Sequence, residues 1–173
     1  DDSSFVGPII DSSNPDPMTA FNDQIDSIGT GGNVTEKGLY YAYESTTSGD
    51  AAPGRGFQRS DARLVVVYVS DEPDFSDSGA TSGMSHTDYA NSLKSLKSSL
   101  DLVVAHAIAG DYPSGCSGNG NAQYGEGYYE VVNQLAGTFM SICAADWSVT
   151  MDTLARDSIC LLYTSPSPRD LAV

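Results

Sequence analysis

Positive charge is scarce in this 173-residue chain. Eight Lys and Arg stand against 23 Asp and Glu, a formal charge of -15. Such a field repels phosphate backbones and anionic headgroups, which excludes nucleic acid and membrane surfaces as partners. Long hydrophobic runs are missing too: the longest, Leu64 to Val69 with its neighbours, falls well short of the ~20 residues that span a bilayer. Histidine is limited to His86 and His106, and no Ser or Cys sits in a Gly-x-Ser-x-Gly turn, so a nucleophile elbow is not available. The opening Asp1-Asp2-Ser3-Ser4 lacks an initiator Met, a basic segment and an apolar segment, so no signal peptide is legible.

What is present suits one globular domain. Apolar residues make up 40% and charged residues 18%, and the length allows one sizeable core but not two. The domain is expected over residues 1–159. From Cys160 the chain reads CLLYTSPSPRD, which resembles one reading frame of a transposon-type sequencing adapter, and Pro166 and Pro168 end any helix there. Residues 160–173 are therefore expected to be a non-native tail on a fragment. Setting Cys160 aside leaves Cys116 and Cys143, either a disulfide of an oxidising compartment or two small buried thiols.

Helical and strand patterns alternate along the domain. Asp16-Pro17 followed by Met18, Phe21, Ile25 and Ile28, with Gly29 after them, predicts a short amphipathic helix. Asn33 and Glu36 have capping-box spacing ahead of Leu39, Tyr40 and Tyr43, which predicts a second helix starting there, its tyrosines mostly in the core. Asp50 to Ser60 reads as loop. The run Leu64-Val65-Val66-Val67-Tyr68-Val69 lacks alternation, as expected of a strand covered on both faces. A polar loop follows to about Thr87, then a helix with Tyr89, Leu93, Leu96 and Leu100, and a strand over Leu102 to Ile108. After the loop Gly110 to Asn121 come a helix with Tyr128, Val131, Val132 and Leu135, a short strand at Phe139 to Ile142, and a last helix capped by Asp146. The expected class is α/β, a doubly wound, mostly parallel sheet with helices on both faces.

Ligands of such sheets bind beyond the carboxyl ends of the strands. At two of these loops the sequence resembles the von Willebrand factor type A family, whose metal site is assembled from three loops. Val69-Ser70-Asp71 matches the strand ending in Ser-Asp, with Glu72 where the family has Gly. Gly31-Gly32-Asn33 ahead of Gly38-Leu39 matches the Gly-Gly-Thr turn, with Asn in place of Thr. The family's Asp-x-Ser-x-Ser loop is not found: Asp1 and Ser3 are followed by Phe5, Asp11 and Ser13 by Pro15, which implies that the opening strand lay upstream. The run Phe57 to Glu72, with Ser141-Ile142-Cys143, is similar to a subgroup of bacterial surface and lipoprotein domains with an Asp-Glu pair and two late cysteines. The resemblance implies Mg²⁺ or Ca²⁺ held by oxygens of Asp71, Ser70, Asn33 and Thr35, with Thr30 a weaker candidate, and one position open for an acidic group of a protein partner. It also implies placement outside the cytoplasm: extracellular, on the cell surface or in the periplasm, the full-length protein being anchored by lipid in one version.

Simpler roles compete at each position. Asp71 can cap the turn after its strand, and Asn33 can be a helix cap. Asp74 and Asp77 lack the spacing of an EF-hand loop and are expected to be solvated. An aspartate-nucleophile hydrolase needs a second carboxylate two residues after Asp71, and Pro73 stands there. His106 falls in a strand and His86 in a polar loop, as core or surface residues. The expected function is a metal-dependent protein-binding or adhesion module without catalytic activity. A structural domain of the same fold without metal is the alternative, and a phosphotransfer hydrolase comes third. The acidic excess also suits a saline habitat.

Overall fold

The computed structural model describes residues 7–29, 35–48, 56–77 and 83–159. Asn33, Thr30 and the tail from Cys160 lie outside them. Within them the chain is mixed α/β around a parallel three-stranded sheet. The sheet consists of β1 (Leu64–Val69), β2 (Val103–Ala109) and β5 (Phe139–Ser141), in the order β1-β2-β5. Leu64 is in register with Val103 and Val69 with Ile108, while Ala107 to Ala109 face Phe139 to Ser141. Among the described residues no strand pairs with the outer edge of β1.

The helices are α1 (Pro17–Ile28), α2 (Gly38–Thr47), α3 (His86–Ser95), α4 (Tyr128–Gln134) and α5 (Trp147–Ile159). One sheet face, made by Leu64, Tyr68, Val103, Ala105, Ala107 and Ala109, forms a single core with Leu39 of α2, Tyr89 and Leu93 of α3, and Tyr128, Val131 and Val132 of α4. The small alanines of β2 let these helices approach the sheet closely. The other face of β2 is also buried at Val104, His106 and Ile108, whereas Val67 and Val69 of β1 are exposed. β2 therefore has the continuous apolar character of a central strand. β1 has the same sequence character but stands, among the described residues, at an edge.

Most elements fall where the hydrophobic pattern predicts, with a few departures. α1 forms with Asp16 as its cap, yet none of its residues is buried, and Met18, Phe21, Ile25 and Ile28 are exposed. α3 starts at His86, so His86 is the first helical residue and not part of the preceding loop. Its cap is a reciprocal Ser85–Asp88 box. The helix stops at Ser95, and Leu100 lies in a following 3₁₀ turn with its side chain exposed. Inside the Gly/Ser/Asn-rich stretch taken as loop there is a small antiparallel ladder, β3 (Cys116–Ser117) with β4 (Asn121–Ala122). Cys116 is bonded to Cys143 just after β5, which resolves the two readings of the cysteines in favour of the disulfide.

The start of α2 departs most from expectation. The helix begins at Gly38 and its cap position is Lys37, which makes no side-chain capping bond. Glu36 precedes the helix instead of closing a box within it. The first-turn N–H groups are satisfied from elsewhere in the fold. The N–H of Leu39 donates to Asp74 Oδ2 at 3.0 Å and that of Tyr40 to Ser76 Oγ at 2.9 Å. The Tyr128 hydroxyl is hydrogen-bonded to the backbone of Gly38. Orphan donors at a helix start need such partners wherever water is excluded. Gly38 itself is required by this arrangement, because a Cβ there would lie 2.7 Å from Tyr128 Oη.

Candidate functional site

Three segments meet beyond the carboxyl ends of β1 and β2: residues 35–38 before α2, 70–77 after β1, and 122–127 before α4. Backbone bonds join them. Phe75 N–H donates to the Glu36 carbonyl, Asp74 N–H to the Glu126 carbonyl, and Gln123 N–H to the Asp71 carbonyl. This is the rim at which the fold class places ligands.

The rim residues singled out by sequence behave differently from one another. Asp71 is exposed, and its carboxylate makes no hydrogen bond or ion pair with a described residue. Ser70 is buried, and its hydroxyl is committed: it donates to the Glu72 carbonyl at 3.0 Å, accepts from the Glu72 N–H at 3.2 Å, and shares a bond with the Tyr128 hydroxyl. Thr35 is half-buried on the segment bonded to this turn. The structure therefore brings Asp71 and Thr35 to one rim and gives Ser70 a turn-closing role.

Asp74 is corrected most strongly, being buried where solvation is expected; it is only 4% exposed. Its Oδ1 accepts from Ser76 N–H at 2.9 Å while Oδ2 caps α2. Burial pushes its carboxyl above the ordinary range, and the bonds from Leu39 and Ser76 and the nearby His86 pull it back in part. The space around it is tight: a Cβ on Gly127, whose φ is +88°, would meet Asp74 Cβ at 2.8 Å and His86 Nε2 at 3.1 Å. His86 Nε2 faces Asp77 Oδ2 at 3.5 Å, so Asp77 is the exposed partner of a helix-start histidine. Ser76 is buried beside Asp74, and its carbonyl accepts from the Tyr89 hydroxyl. The signal for this pair is in the sequence, since Asp74-Phe75-Ser76-Asp77-Ser78 has the Asp-x-Ser-x-Ser spacing read as missing. It follows β1 instead of an opening strand, and the oxygens of Asp74 and Ser76 are turned to backbone N–H groups.

Glu36 is the rim residue that sequence reading used only as a cap. Its carboxyl is raised above the ordinary range, first by burial and then by the charges of Glu72, Asp71 and Asp74. Four carboxylates thus gather at one rim, with His86 beside Asp74 and Lys37 next to Glu36 in sequence. Their hard oxygens suit Mg²⁺ or Ca²⁺ chemically. Geometrically the fit is partial: among the described residues no group of three or more His, Cys, Asp or Glu side chains is placed to hold a metal ion. Asp71 and Thr35 remain available as donors, and Ser70 does not.

Alongside the rim, Tyr112 stacks on Tyr129 with centroids 4.5 Å apart, and Tyr124 and Phe139 meet these rings edge-on. Tyr124 donates to Glu130 Oε1, and Glu130 Oε2 accepts from the Gly127 N–H, fixing the start of α4. His106 is fully buried in β2, where Nδ1 accepts from Thr138 N–H, a packing role. Tyr40 and Tyr43 pack against the core. No helix among the described residues is long and apolar enough to cross a membrane. Comparison with family models, curated proteins and solved structures gives no match to this chain.

Proposed function

We propose that this chain is a protein-binding module of an exported bacterial protein, with a doubly wound arrangement of the von Willebrand factor type A kind and no catalytic activity. Binding is centred on the Asp71 rim. The observation that carries this reading is the gathering of Glu36, Asp71, Glu72 and Asp74 at the carboxyl end of β1, where burial first and then the neighbouring charges raise the Glu36 carboxyl. Negative charge gathered in that position is relieved by a divalent cation, Mg²⁺ or Ca²⁺. Asp71 and Thr35 are the described donors and Asn33 a further one. When bound, the cation supplies an open coordination position for an acidic group of the partner. Ser70 and Glu72 hold the turn that presents Asp71, and Asp74 and Ser76 fix α2 beside it. An extracellular, surface or periplasmic location is supported by the Cys116–Cys143 disulfide.

The test is titration of the intact chain with CaCl₂ and MgCl₂, followed by calorimetry and thermal unfolding. Heat of binding together with a raised melting temperature, both lost in Asp71→Asn, is the expected outcome. Absence of both overturns the cation and leaves the metal-free structural reading, which the engagement of Ser70, Asp74 and Ser76 in backbone bonds favours. Turnover of an aryl phosphate that disappears in Asp71→Ala would overturn the non-catalytic reading.

A further inference from the structure

The opposite end of β1 carries the reverse charge. A cavity of about 190 Å³ opens at its amino end, lined by Arg59, Arg63 and Lys97 together with Phe57 and Ala62. Three of the chain's 8 basic residues therefore share one small cavity in a molecule of charge -15. Lys97 Nζ donates to the Arg59 carbonyl, which ties the residue just beyond α3 to the strand approach. Neither Arg59 nor Lys97 forms an ion pair with a described carboxylate, although acidic residues outnumber basic ones almost threefold. The like charges of Arg59 and Lys97, held in a concave site without a described counter-ion, attract an anion.

The neighbouring surface narrows the kind of anion. A second cavity of about 520 Å³ shares Phe57 and Arg59 with the first and is bordered by Ile9 and Ile10. Asp11 also borders it, but its Oδ1 is taken up by the N–H and hydroxyl of Ser13. Phe57, half-exposed between the two cavities, offers an apolar bridge from the cationic end to the isoleucines. Guanidinium and ammonium groups bind both carboxylates and phosphates. The acidic field of the whole molecule penalises a dianion more than a monoanion, and the apolar continuation calls for a tail.

We propose that this pair of cavities is a binding site for a small carboxylate with an aliphatic tail, its head at Arg59, Arg63 and Lys97 and its tail across Phe57 towards Ile9 and Ile10. The site is separate from the Asp71 rim and does not depend on the function proposed there. The test titrates the intact chain by calorimetry with octanoate, its neutral counterpart octanamide, and inorganic phosphate. Octanoate is expected to bind saturably and at least ten-fold more tightly than either of the others. The double variant Arg59→Gln/Lys97→Gln is expected to weaken octanoate at least ten-fold while still unfolding cooperatively, since Arg59 is exposed, Lys97 half-exposed, and only the bond from Lys97 Nζ to the Arg59 carbonyl is lost. Phe57→Ala is expected to weaken octanoate and leave phosphate unaltered. Equal binding of octanamide overturns the charged head, equal or tighter binding of phosphate overturns the tail, and absence of octanoate binding at millimolar concentration overturns the site. Should the double variant unfold, loss of octanoate binding on raising the salt concentration from 20 to 500 mM in the unaltered chain serves as the second reading, and salt independence counts against the proposal.

Discussion

Asp74 is a charge placed where charge is costly, and the chain retains it because α2 has donors to satisfy. Asp74→Ala leaves the Leu39 and Ser76 N–H groups without their acceptor in a buried site, so a loss of about 1–3 kcal/mol is expected in urea unfolding. Asp74→Asn keeps an acceptor while removing the charge, and its loss should be the smaller. Glu36 at the same rim is raised too, by burial first and then by Glu72, Asp71 and Asp74, without the backbone bonds that Asp74 receives. A carboxyl raised in the folded state contributes stability that is fully present below the ordinary glutamate value and is lost as pH rises through the raised one. Glu36→Gln is therefore expected to be more stable than the parent at pH 7 and no more stable below pH ~4, measured by thermal unfolding across that range. Asp16, Asp88 and Asp146 have lowered carboxyls, set by bonds from Thr19, Ser85 and Ser148. Their contribution is present above the ordinary aspartate value and lost as pH falls, so the acid limb of the same profile reports the helix caps.

At the scale of elements, sequence reading succeeds where one segment decides its own structure. Pro17 to Ile28 carries its cap and its stop, and the apolar run Leu64 to Val69 has no structure open to it other than strand. It fails where the deciding partner is remote. The Asn33–Glu36 spacing suggests a local cap, but the start of α2 is set by Asp74, Ser76 and Tyr128, more than 30 residues away in sequence. The same remoteness hides the burial of Asp74, which depends on three segments meeting at the rim. The β3–β4 ladder escapes notice because two-residue strands have no periodicity to read. That ladder is anchored to the end of β5 by a bond spanning 27 residues of sequence. Cys116→Ser/Cys143→Ser is expected to lose about 3–4 kcal/mol on the chain-entropy account. The parent's melting temperature should fall towards the variant's once reductant is added, and the variant's should not move.

Taken as a whole, the molecule separates its charge along the direction of β1, with carboxylates beyond Val69 and basic side chains before Leu64. The carboxylate end is legible in Asp71-Glu72-Pro73-Asp74, and Arg59 and Arg63 stand four apart, but Glu36 and Lys97 join them only through the fold. The lateral flank of β1 has a different consequence. Its main-chain groups find no described strand on that side, and Val67 and Val69 are exposed on the adjoining sheet face. A flank of this kind is a template on which another copy can align. At charge -15 copies repel one another, and that repulsion weakens as salt shortens the reach of the field. Light scattering is expected to detect growing assemblies as NaCl rises from 20 to 500 mM, and Val67→Lys to suppress them. Dispersal is thus set by the surrounding ions as much as by the sequence: assembly in brine would count against the saline habitat that the acidic excess suits, and its absence would support it.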